Sequence, residues 1–107
     1  MSDTLTDISD ADFAATLGDA DGPVLVEFYS SNCAYCRRLE PLLETAATDY
    51  AGRVRIVRMN AETNETRPRY GLNGTPTLVL YVDGEESVTK TGAMREQQLQ
   101  SFLNAYV

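Results

Sequence analysis

Apolar residues along the chain follow two rhythms that alternate. After Ser9, a suitable N-cap, residues Phe13, Ala14 and Leu17 share one face at helical spacing, which predicts a short first helix. Asp19 to Pro23 (DADGP) is loop chemistry. The run VLVEFYS, Val24 to Ser30, is then almost continuously apolar and rich in β-formers. A strand buried on both faces reads this way, as central parallel strands do. In CRRLEPLLETAATDY the spacing of Leu39, Leu42, Leu43 and Ala46 predicts a second helix, kinked at Pro41 and ended by Ala51-Gly52.

The period changes again at VRIVRMN. Val54, Ile56 and Arg58 alternate there with Arg55, Val57 and Met59, as in a strand. Residues 61–70 read as a short helix or turn broken by Pro68. Thr77 to Val82 and Glu86 to Thr91 read as two strands joined at Asp83-Gly84, a strong hairpin signal. Arg95 to Tyr106 closes the chain as an amphipathic helix with Leu99, Phe102, Leu103 and Tyr106 in its apolar stripe. Leu5-Thr6 offers an edge strand at the start. The order predicts an α/β protein: a central mixed sheet of four or five strands with helices on both faces.

Composition narrows the class. The chain has 107 residues and is 43% hydrophobic, which fits one domain, 1–107, with one core. No apolar run reaches the roughly 18 residues that span a bilayer, so no membrane partner is expected. The start, MSDTLTDISD, is acidic and polar and lacks the pattern of a secretory signal, so a cytoplasmic location is expected. A net charge of −7 argues against nucleic acid, because phosphate binding needs clustered cations. Five arginines between Arg53 and Arg69 face only Glu62 and Glu65, and the plainer reading of that excess is a solvated surface.

The chemistry concentrates in SSNCAYCRRLEP. Both cysteines, Cys33 and Cys36, stand where the buried strand gives way to a helix. Cytosolic thiols are mostly reduced, and a bridge over so short a loop adds little stability, so a structural staple explains the spacing poorly. Ser31 or Asn32 as N-cap puts Cys33 in the first helical turn, where free N–H groups and the helix dipole favour a thiolate. Lowering a thiol pKa from about 8.5 to about 7 corresponds to roughly 2 kcal/mol, within reach of such a terminus. Cys36, one turn deeper, is expected to be less exposed. The pair therefore suits thiol–disulfide exchange, with Cys33 attacking and Cys36 resolving. Zinc or an iron–sulfur cluster would need ligands pooled from two chains or recruited carboxylates, since the chain has no histidine, and no metal is expected. Two inert core cysteines are the remaining alternative.

Glu27 interrupts the buried strand. Burial raises a carboxyl pKa, and such groups cluster at functional sites. Glu27 is expected beneath the cysteines, accepting the Cys36 proton, with Arg58 on the next strand as its partner. Pro76, between Thr75 and Thr77, must start its strand.

These segments together resemble the thioredoxin family over nearly the whole length. VLVEFYSSNCAYCRRLEPLLE is similar to the family's strand, active-site loop and kinked helix; GTPTLVLYVDGE to its cis-proline loop and hairpin; KTGAMREQQLQSFLN to its last strand, glycine loop and terminal helix. The resemblance implies a thioredoxin fold and a protein-disulfide reductase whose only redox group is the Cys33–Cys36 pair, without a cofactor. Cys33 matches the nucleophile, Cys36 the resolving thiol, Glu27 the buried acid, Arg58 the basic residue near it, Pro41 the kink proline and Pro76 the cis-proline. Thr75 matches the position whose backbone pairs with a bound chain, and Gly92 a glycine beside the docking groove. The docking surface so implied comprises Asn32, Ala34, Tyr35, Thr75, Pro76, Gly92 and Ala93, with Gly71 to Gly74 nearby.

The family's usual Trp-Cys-Gly-Pro-Cys is here Asn32-Cys33-Ala34-Tyr35-Cys36, and the chain has no tryptophan. The two intervening residues tune the potential, and Tyr35 in place of proline frees a backbone N–H near the Cys33 sulfur. Protein disulfides, a reductase donor (standard or dedicated thioredoxin reductase) and a monomer are expected. The rival expectations are a more oxidising or glutathione-linked exchange protein and a non-redox interaction module.

Overall fold

A computed structural model describes residues 5–107. The expected domain, 1–107, thus begins with four residues outside this range. The elements are β1 (Thr6–Asp7), α1 (Asp10–Asp19), β2 (Val24–Tyr29), α2 (Ala34–Asp49), β3 (Arg55–Asn60), β4 (Thr77–Val82), β5 (Glu85–Thr91) and α3 (Glu96–Tyr106). The strands form one sheet in the order β1-β3-β2-β4-β5. β1, β3 and β2 run parallel, and β4 and β5 run antiparallel to their neighbours. This is the α/β mixed sheet that the alternating periods predict.

β2 lies at the centre, hydrogen-bonded to β3 on one edge and β4 on the other. Its continuous apolar run follows from this position, because both faces are covered. One face carries Leu25, Ile56, Leu78 and Leu80 against Leu39 and Leu43 of α2 and Leu99, Phe102 and Leu103 of α3. The other carries Val24, Val26, Phe28, Val57, Met59 and Val79, with Phe13 and Leu17 of α1 packed over them. Within α1 the buried residue is Thr16, while Ala14, expected on the inner face, is exposed. Tyr106 also turns outward at 49% exposure, with its ring in a tilted contact with Phe102.

The connections obey local chemistry. Asp83 (φ 53°) and Gly84 (φ 82°) both take positive φ, so they form the two-residue hairpin turn that matches strand twist. Register slips between Leu80 and Tyr81, which leaves Ser87 as a bulge. Residues 61–70 form turns without a regular helix. They are pinned by Asp10, which accepts from the N–H groups of Glu65 and Thr66 at 2.8 and 2.9 Å. Pro41 lies inside α2 and removes the N–H that would reach the Arg37 carbonyl, yet the helix runs on to Asp49. No helix among the described residues is long and apolar enough to cross a membrane.

The buried leucines at the junction of β2, α2 and α3 hold the layers together. Leu43→Ala should destabilise the oxidised protein by about 2–5 kcal/mol in urea unfolding, and Tyr106→Ala by about 1 kcal/mol or less. Equal losses would mean that the junction is not the core of the fold.

Candidate active site

β2 ends at Tyr29, and after four intervening residues the chain enters α2. The cap of that helix is Cys33 itself, in place of the expected Ser31 or Asn32. Its backbone is extended (φ −107°, ψ 103°), and its Sγ accepts the N–H of Cys36 at 3.1 Å. The Arg37 N–H closes on the Cys33 carbonyl. Ser31 is drawn away to Glu62, whose Oε1 accepts both its N–H (2.9 Å) and its hydroxyl (2.7 Å). The cysteine sulfur therefore takes the place of the usual capping oxygen, at the positive end of the α2 dipole.

Cys33 and Cys36 are joined as a disulfide, with Cα atoms 5.2 Å apart. Cys33 retains 8% exposure and Cys36 1%, which agrees with the expected order. The loops at Thr75–Pro76 and Gly92 are tied to the segment that precedes the pair. The Thr75–Pro76 peptide is cis. The Thr75 hydroxyl shares a 2.9 Å hydrogen bond with the Ser30 hydroxyl, and the Gly92 N–H donates to the Pro76 carbonyl at 2.9 Å. Ser30, Thr75, Pro76 and Gly92 are thereby brought together. Asn32, Ala34 and Ala93 are exposed. Tyr35 is 53% exposed and lines a groove of about 410 Å³ with Arg38, Leu39, Leu42, Ala93 and Met94. The Arg38 guanidinium stands 5.6 Å from the centre of the Tyr35 ring.

Glu27 is fully buried. It lies two residues along β2 from Leu25, on the face that α2 covers with Leu39 and Leu43. Its register partner on β3 is Arg58. The expected Glu27–Arg58 pair is nevertheless not formed. Arg58 reaches outward, with Nη1 2.8 Å from Glu40 Oε1 and Nη2 3.0 Å from Asp7 Oδ2. Its guanidinium lies 4.7 Å from the centre of the Tyr29 ring, whose hydroxyl donates to Asp7 Oδ1 at 2.6 Å. Neither carboxyl oxygen of Glu27 has a hydrogen-bond partner among the described residues. The reason is solvation: Arg58, Glu40 and Asp7 keep part of their surface in water, whereas an ion pair at Glu27 would desolvate both charges. Burial, and then the negative charges of Glu40 and Asp7, push Glu27 up to about 8, with Arg58 only partly opposing. Burial and the bond to Asp7 likewise push the Tyr29 hydroxyl up to about 12.

The arginines between 53 and 69 are spread over separate structural tasks. Arg58 is ion-paired, Arg53 stacks on Tyr50, and Arg67 donates to the carbonyls of Ala61, Asn64 and Thr66. Sequence reasoning missed Asp7, Glu40 and Glu62. Glu40 was detectable as the residue one helical turn beyond Cys36, and Asp7 as the acid that follows the expected edge strand Leu5-Thr6.

A disulfide whose sulfur caps the helix after the carboxyl end of a central strand, with the Thr75–Pro76 loop tied to that strand end, fits a thiol–disulfide oxidoreductase of the thioredoxin-like class. The thioredoxin family model matches residues 4–105. The thioredoxin of Pseudomonas aeruginosa is 39% identical over 108 residues, which span all of both chains. That of Haemophilus influenzae is 36% identical over 101 residues, 94% of each chain. Protein disulfide-isomerase A3 of Gallus gallus is 41% identical over 100 residues, covering 92% of this chain and 20% of that protein. The chain belongs to the thioredoxin family.

The position of Glu27 gives a stability signature. Its folded pKa, about 8, lies above the ordinary 4.5, so between those values the folded state holds a proton that the unfolded state has lost. Stability is thus fully present below about pH 4.5 and is lost as pH rises through about 8, at no more than about 1.4 kcal/mol per pH unit. The chain has no histidine to mask this. Urea unfolding of the oxidised protein from pH 5 to 8 should show the decline, and Glu27→Gln should flatten it. An equal decline in both proteins would remove Glu27 as its source.

Proposed function

We propose that the protein reduces protein disulfides, with Cys33 as nucleophile, Cys36 as resolving thiol and Glu27 as the acceptor of the Cys36 proton. The observation that carries this reading is the Cys36 N–H donated to Cys33 Sγ at the helix N-terminus. The same N–H and dipole that meet the sulfur in the disulfide stabilise its thiolate in the dithiol.

The reaction then runs in two steps. The Cys33 thiolate attacks one sulfur of a substrate disulfide. That bond breaks, and the departing substrate thiolate takes a proton from water. Cys36 next gives its proton to the Glu27 carboxylate and attacks the Cys33 sulfur. The Cys33–Cys36 disulfide forms, the second substrate sulfur leaves as a thiolate that takes a proton from water, and Glu27 returns its proton to solvent. Two electrons pass from the dithiol to the substrate, and a reductase must return them. A base whose pKa lies near that of the thiol takes the proton without a large uphill step.

The docking surface is Asn32, Ala34, Tyr35, Thr75, Pro76, Gly92 and Ala93. Thr75 offers its backbone to an extended substrate chain, while Tyr35 and the groove beside it receive side chains flanking the substrate cysteine. The protein acts as a cytoplasmic monomer without metal or cofactor, nucleic acid or membrane partner, and its electron donor is a thioredoxin reductase, standard or dedicated.

Tyr35 supports a second reading, a more oxidising exchange protein. Unlike proline it keeps its backbone N–H, one residue before the Cys36 donor, and about 30 mV corresponds to roughly 1.4 kcal/mol. Equilibration in graded thiol–disulfide buffers, followed by alkylation and weighing, should give a potential near or below about −260 mV for the reductant. A value above about −200 mV would favour the oxidant, and no disulfide at any poise would leave only an interaction module.

The two cysteines should also separate by trapping. Cys36→Ser should accumulate mixed disulfides with protein substrates, and Cys33→Ser should accumulate none. The reverse pattern would exchange their roles.

A further inference from the structure

The Cys36 proton poses a problem of strength. A carboxylate of ordinary pKa is about four pH units weaker as a base than a thiolate, so proton transfer to it is unfavourable by about 10⁴-fold. An arginine paired directly with that carboxylate would weaken it further, since it cannot lose its charge. The register of β2 and β3 puts Arg58 beside Glu27, where such a pair would be expected to form. Two carboxylates from outside β2 prevent it. Asp7 of β1 takes one end of the guanidinium at 3.0 Å and Glu40 of α2 the other at 2.8 Å.

We propose that Asp7 and Glu40 are positioning residues for the exchange reaction: by holding Arg58 between them they keep it off Glu27, and so leave Glu27 a base strong enough to take the Cys36 proton. The inference rests on the role proposed for Glu27. The arrangement is braced at two points. Tyr29 donates to Asp7 and lies under the guanidinium, which fixes the outer end. Glu40 belongs to the same helix as Cys36, one turn further on, so the clamp and the resolving thiol move together. The Glu27 oxygens are left without a hydrogen-bond partner among the described residues. The charged groups acting on Glu27 are Asp7 of β1, Arg58 of β3 and Glu40 of α2, and Tyr29 of β2 contacts the first two. Its neighbour on β4 is Leu78, and α3 contributes Leu99, Phe102 and Leu103 to that face. Besides burial, the negative charges of Glu40 and Asp7 also raise the Glu27 pKa directly, by repelling its carboxylate.

The test isolates the resolving step. Reduced protein is mixed with a chromogenic aromatic disulfide. Cys33 attack releases the first aryl thiolate, and Cys36 attack on the resulting mixed disulfide releases the second. The rate of the second release is followed from about pH 5.5 to 9.5. For the native protein it should rise through the titration of Glu27, and Glu27→Gln should abolish that rise. Glu40→Gln should lower the midpoint by about one pH unit, with a plateau rate about threefold lower for the weaker base. Asp7→Asn should act in the same direction. Adding Arg58→Met to Glu40→Gln should raise the midpoint again, because the freed cation is gone. In the Glu27→Gln background, Glu40→Gln should change nothing.

If Glu27→Gln abolishes the rise but neither Glu40→Gln nor Asp7→Asn moves the midpoint, the clamp has no such role, while Glu27 keeps its own. If Glu27→Gln leaves the rise unchanged, the proton-acceptor reading falls and the inference falls with it. A shift by Glu40→Gln that persists without Glu27 would also overturn it.

Discussion

β2 is paired on both edges and covered on both faces, and the rest of the molecule depends on that enclosure. An enclosed strand has one place to present chemistry, which is its carboxyl end. There the chain must turn into α2, and the turn carries the cysteines. Enclosure also dictates what a polar residue within the strand experiences. At Glu27 there is no route to water along the strand, so its carboxyl is governed by what its neighbours on β1, β3 and α2 supply.

Those neighbours follow a consistent economy of charge. An arginine adjacent to a buried acid has two options: go in and desolvate both groups, or stay out and pair at the edge. Arg58 stays out because Asp7 and Glu40 offer partners that remain partly hydrated. The outcome separates a hydrated ion-pair cluster from an isolated acid, although all four charged residues sit within adjacent elements of one face. Ser31 is held in a comparable way: Glu62, from the turn after β3, takes its N–H and hydroxyl, and the capping position passes to Cys33.

Much of this was legible in the chain. Period-two and period-3.6 runs located the strands and helices, and the two-residue signal Asp83-Gly84 identified the hairpin together with its positive φ values. VLVEFYS was readable as a central strand because a half-exposed strand would alternate. The Cys33/Cys36 spacing at its end was readable as chemistry because so short a bridge stabilises little. What was not legible depends on contacts between elements distant in sequence. Arg58 was expected to face Glu27 because the strand register is local knowledge; that it turns to Glu40 requires knowing where α2 lies. Ser31 and Asn32 were reasonable caps by residue type, and only the position of Glu62 removes the first of them. Ala14 and Tyr106 were placed inward by periodicity, whereas the faces of α1 and α3 that meet the sheet are narrower than their apolar stripes.

The hydrogen bonds around the cysteines have an implication for the order of assembly. Ser31 is tied to residue 62, Ser30 to residue 75, and the loop at residue 76 is tied in turn to Gly92. The environment of the pair is therefore built from four stretches of chain spread over more than half its length. A nascent chain that has emerged only as far as α2 already carries Cys-Ala-Tyr-Cys, but with none of these ties. The strand end and loop that lead into the pair are held in place only once the last hairpin and the glycine after it have joined the sheet, so the site is a property of the completed fold as much as of a sequence motif.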